Sequence, residues 1–118
     1  MKTIKRILTT VLAIAISFFT LQVSAKVLHN ETLTFKVYGN CEMCKKRIET
    51  ALSKSTAIKS AIWDVKTKMV TVVYDPHVIS IEQIHQLIAD AGHDTDKIKA
   101  SDAVYNKLPV CCKYDRRK

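Results

Sequence analysis

Residues 33–52 change their apolar period part-way, and that change narrows the folds open to this chain. Leu33, Phe35 and Val37 recur every second residue, as on a half-buried strand. Cys44, Ile48, Ala51 and Leu52 then recur every third or fourth, as on one face of a helix. The stretch between, Tyr38-Gly39-Asn40-Cys41-Glu42-Met43-Cys44, is therefore a strand-to-helix turn that carries a C-x-x-C pair. A helix N-terminus has partial positive charge and unpaired N–H groups, which favour thiolate, the form that binds soft metal ions or attacks disulfides. Metal binding and thiol redox chemistry are both open at this point.

The same reading sets the rest of the chain. A strand over residues 31–38 and a helix over 42–54 are followed by a strand over 58–65. Lys66-Thr67-Lys68 is a turn, and residues 69–74 form a β-branched strand. Asp75-Pro76 stops it, because proline brings no N–H to a ladder. Ser80, with Gln83 three residues on, is a capping box, and Ile81, Ile84, Ile88 and Ala91 make one apolar face ending at Gly92. A short fourth strand is expected over residues 93–99. The order βαββαβ is an α+β, ferredoxin-like sandwich, with an antiparallel four-stranded sheet and two helices on one face. Residues 102–108 allow a helical turn, and Pro109 breaks it ahead of Cys111 and Cys112.

Lys2, Lys5 and Arg6 precede an apolar run over residues 7–19 and the small-residue ending Val23-Ser24-Ala25, the pattern of an export signal cleaved after Ala25. The run is short for a spanning helix, which needs about 20 apolar residues, so no stable membrane insertion is expected after cleavage. We divide the chain into a signal peptide (residues 1–25), one domain (26–100) and a C-terminal Cys-Cys extension (101–118), with the periplasm as its location. Loss of three cations takes the formal charge from +8 to +5 and leaves all four cysteines. Without an aromatic-studded basic groove, this mild excess does not point to nucleic acid; it fits solubility or an acidic partner. An oxidising compartment favours paired cysteines, but adjacent ones such as Cys111 and Cys112 rarely bond each other.

With C-x-x-C in the first loop of a βαββαβ chain, the protein resembles the heavy-metal-associated domain family over residues 32–99. Gly39, Cys41, Cys44, the segment Val70-Thr71-Val72-Val73-Tyr74-Asp75 and Ala91-Gly92 carry the likeness. The family includes copper chaperones, modules of metal-pumping ATPases and the periplasmic mercury-binding protein; the export signal points to the periplasmic members. The resemblance implies Cu(I) first, with Hg(II) or Zn(II) as other occupants, and a metal-transporting membrane protein or ATPase with its own thiolate site as partner. Two departures stand out. The family's usual Gly-Met-x-Cys-x-x-Cys is here one residue shorter and lacks the methionine, and the Cys111-Cys112 extension is an addition.

Cys41 and Cys44 are thus the expected metal ligands, since two thiolates suit a soft d¹⁰ ion. Cys111 and Cys112 are candidate additional ligands, alternatively disulfide partners or a separate site; both reach one ion only if the backbone turns there. His93, where the family carries Lys, Tyr or Phe near the loop, could lend a nitrogen or a hydrogen bond. Met43 could turn its thioether to the ion or to solvent. Lys45, Lys46 and Arg47 are candidates for docking an acidic partner face, or a solvated helix side. His29, His77 and His85 read as surface residues, and Trp63 and Tyr74 as core. No catalysis is implied. The expected function is an exported binder that transfers or sequesters a soft metal ion, as a monomer or a metal-bridged dimer. The alternatives are an exported thiol-disulfide protein using the same pair, and a small interaction domain locked by two disulfides.

Overall fold

A computed structural model describes residues 29–118; the expected signal peptide lies outside them. Three strands form an antiparallel sheet: β1 (Glu31–Lys36), β2 (Ile58–Trp63) and β3 (Met69–Tyr74), in the order β1-β3-β2. β3 is central because its inward residues Val70, Val72 and Tyr74 are all buried, and it pairs Phe35 with Val70 on one side and Trp63 with Val70 on the other. Thr34 and Thr71 face each other on the exposed side, their hydroxyls 3.4 Å apart. Alternation within the strands thus sorts apolar side chains inward and threonines outward.

Helices α1 (Glu42–Ser53) and α2 (Ile81–Asp90) bring Ile48, Leu52, Ile84 and Ile88 into the core beneath that face. Each such burial is worth about 1.5–3 kcal/mol. Ser80 caps α2 as expected, accepting the Gln83 N–H while Gln83 accepts the Ser80 N–H. Gly92 follows the helix at φ +102°, a conformation that suits glycine.

The ferredoxin-like arrangement stands, with its fourth strand reduced to one antiparallel bridge, Val37 to Thr95, beside β1. The Tyr38 N–H donates to the Asp94 carbonyl and the Asp96 N–H to the Lys36 carbonyl. The segment then turns, because the Thr95 hydroxyl accepts the N–H groups of Lys97 and Ile98 and the Thr95 N–H donates to the Ile98 carbonyl. A local side-chain turn has displaced the ladder.

His85 is a correction: it is buried, stacked on Phe35 at 3.9 Å between ring centroids, with its Nδ1 2.6 Å from the Thr95 hydroxyl. It lies four residues after Ile81 and three before Ile88, inside the apolar stripe. His29 and His77 are exposed, as expected. Trp63 and Tyr74 are core residues; the Trp63 indole donates to the Val37 carbonyl at 3.1 Å.

Beyond the βαββαβ unit, α3 (Asp102–Asn106) and a 3₁₀ turn (Val110–Cys112) return the chain to the first loop.

Candidate metal centre

Cys41 is the N-cap of α1, with extended backbone and no cap hydrogen bond from its side chain. Ser, Thr or Asp would fill that role with oxygen; here the first-turn N–H groups are left facing a sulfur. The Cys41 Sγ is half-exposed and lies 3.6 Å from the Sγ of buried Cys44. Its pKa falls from the ordinary 9.0 to about 7, chiefly because the Cys44 N–H faces it; the Cys44 side chain, the Met43 N–H and Cys111 add to this against a smaller opposing effect of burial. The Cys44 Sγ accepts the Asn40 N–H at 3.3 Å. Gly39 lets the loop sit this low: a Cβ there would stand 3.0 Å from the Trp63 ring and 3.1 Å from the Cys44 Cβ.

The extension delivers two more sulfurs to the same place. The Sγ atoms of Cys41, Cys111 and Cys112 all lie within 4.8 Å of one another; Cys44 is not one of this group, and its sulfur adjoins it at Cys41. The Cys41 thiol donates to the Cys111 carbonyl at 3.5 Å, and the Cys111 thiol to the Met43 thioether at 3.5 Å. The turn that two adjacent cysteines require is present, closed by the Cys112 N–H on the Pro109 carbonyl at 2.8 Å. Burial, with hydrogen bonding to Cys44 and the charge of Cys44 and Cys41, pushes the Cys112 thiol well up. All four cysteines are free thiols in this structure.

His93 is buried, its Nδ1 is 2.8 Å from the Tyr38 carbonyl, its Nε2 has no hydrogen-bond partner among the described residues, and its ring stacks on Tyr114. Among the described residues it is not a member of the three-sulfur group. The Tyr114 hydroxyl donates to the Gly92 carbonyl and accepts the Asp94 N–H, each at 2.8 Å. Arg116 forks onto both carboxylate oxygens of buried Asp94 at 2.7 and 3.0 Å, and reaches Asp102 and the Ala100 carbonyl. Burial works to raise the Asp94 pKa, but Arg116 and the Ala100 N–H outweigh it and hold the carboxyl below its ordinary value. These anchors were missed in the sequence, because nothing local links Asp94 to a residue 22 positions on.

Of the three docking candidates, Lys45 donates to the Trp63 carbonyl and pairs with Glu49, and Arg47 reaches the Ala91 carbonyl. Lys46 is exposed. Met43 is 49% exposed, and its sulfur borders the group.

The heavy-metal-associated domain matches residues 34–94 of this sequence. The chain belongs to the heavy-metal-associated domain family. Copper chaperone CopZ of Staphylococcus haemolyticus (strain JCSC1435) is 36% identical over 55 residues, 47% of this chain and 81% of that protein. Cation-transporting ATPase HMA5 of Oryza sativa subsp. japonica is 30% identical over 69 residues, 58% of this chain but 7% of the ATPase. The crystal structure of oxidized MerP from Ralstonia metallidurans CH34 superposes with a TM-score of 0.55 at 25% identity, covering 58% of this chain and 96% of that one. The heavy-metal-associated match ends at residue 94, before α3 and the Cys111-Cys112 turn.

Proposed function

We propose that the protein is an exported, non-enzymatic carrier of a soft metal ion, Cu(I) before Hg(II) or Zn(II), held through Cys41 and Cys44. The observation that carries this reading is the pair itself: a half-exposed sulfur with its pKa brought to about 7, 3.6 Å from a buried one, at a helix N-terminus. The exposed member admits an incoming thiolate and the buried member retains the ion, so transfer proceeds by replacing one sulfur at a time. Kinship to a copper chaperone supports copper, and the stretch shared with a cation-transporting ATPase supports a membrane transporter with its own thiolates as the receiving partner. The signal-like pattern of residues 1–25 supports export, with the periplasm as the compartment of exchange in this reading.

Anaerobic titration of the reduced full chain with Cu(I), against a competing chelator, tests this. Tight one-to-one binding is expected, and C41S/C44S should abolish it; binding that survives the double substitution would sink the reading. The same low pKa and short spacing also suit a dithiol–disulfide couple. That reading predicts a reversible disulfide with a measurable potential and no Cu(I) binding.

A further inference from the structure

We propose that Cys111 and Cys112 ligate the same ion as Cys41 and Cys44, so that the C-terminal strap closes the site with at least three thiolates. This rests on the metal-binding reading above and deepens it.

The placement is the first argument. Metal–sulfur bonds of about 2.3 Å let two sulfurs share one ion at separations up to roughly 4.6 Å, the linear limit. Cys41, Cys111 and Cys112 lie within 4.8 Å of each other, so small side-chain rotations suffice for these three; Cys44 stands outside that group and joins it through Cys41, 3.6 Å away. At 3.6 Å, Cys41 and Cys44 would subtend an angle of about 100° at such an ion, near the value for three or four ligands and far from two.

The second argument is that the strap is built into the fold on both sides of the cysteines. Before them, Leu108 is buried against Gly92, where a Cβ would meet its Cδ2 at 2.8 Å. After them, Tyr114 is buried and hydrogen-bonded to Gly92 and Asp94, and Arg116 clamps Asp94. Between these anchors the 3₁₀ turn keeps both thiols with Cys41, where an extended Cys-Cys would send them to opposite sides. Core packing accounts for Cys112, which is fully buried, but not for Cys111, which is exposed, its thiol donating to the Met43 thioether and its carbonyl accepting the Cys41 thiol.

A third thiolate raises affinity and removes the open coordination position through which an incoming thiolate attacks. The consequence is a store: release to a partner requires the strap to lift. The ion class is thiophilic and accepts three or four sulfurs, and Cu(I) is the probe.

The full chain, reduced and loaded with one equivalent of Cu(I), is measured by X-ray absorption and by chelator competition, beside C111S, C111S/C112S and C41S/C44S. C111S, at an exposed position, guards against a folding defect. We expect three or more sulfurs around copper in the parent chain. The count should be lower in C111S and two in C111S/C112S, with affinity roughly 100-fold weaker, the scale of a lost thiolate ligand. A parent chain with two sulfurs, or C111S and C111S/C112S indistinguishable from it, overturns the closed site and leaves the carrier reading standing. A parent chain that binds no Cu(I) overturns both.

Discussion

Cys41 is a helix N-cap with a sulfur where an oxygen is usual, and much of the site's chemistry follows from that one position. Lowering its pKa from 9.0 to about 7 means that half of it is thiolate at pH 7, where an unperturbed thiol would be about 1% ionised. Cys112 is displaced the opposite way by burial and by neighbouring sulfurs, so the group holds its protons unequally. An arriving ion meets a ready thiolate at Cys41 and must expel a proton from Cys112, so binding weakens as pH falls. Alkylation with limiting iodoacetamide, read peptide by peptide by mass spectrometry, should give Cys41 a midpoint near pH 7 and leave Cys112 the last to react. A Cys41 midpoint near 9 would mean that the helix end does not stabilise its thiolate.

Strands and helices were largely legible because each is written in its apolar period. β1 to β3, α1 and α2 lie within about two residues of their expected bounds, and the C-x-x-C turn is where two periods meet. The fourth strand was misjudged in extent because Asp94-Thr95-Asp96 has turn chemistry, and Thr95 uses it. His85 was misplaced although Ile81 and Ile88 bracket it on the same stripe. Where Cys111 and Cys112 settle could not be read, since it depends on contacts with Gly92 and Asp94 that leave no periodic trace. Gly92 joins the two parts: it ends α2 at φ +102° and leaves room for Leu108. Gly92→Ala should therefore cost about 1–2 kcal/mol from the backbone alone, with crowding of Leu108 in addition. Urea unfolding measures this, and an unchanged midpoint would show that neither constraint is felt.

For the molecule as a whole, the strap depends on one buried carboxylate. Asp94 is fully buried, and Arg116 is the cation that neutralises it. Arg116→Ala leaves that charge unpaired and should cost about 3–5 kcal/mol. Adding Asp94→Asn removes the stranded charge and should restore part of the loss. A single variant as stable as the parent would show that the strap is held without the pair. Trp63 has a different consequence. It is the chain's one tryptophan, fully buried, and its ring borders Gly39, as does the Cys44 Cβ. The protein therefore carries a built-in optical reporter: a shift of the Cys44 sulfur or of the loop above it changes the surroundings of the indole, and the chain's own emission records the event without a label.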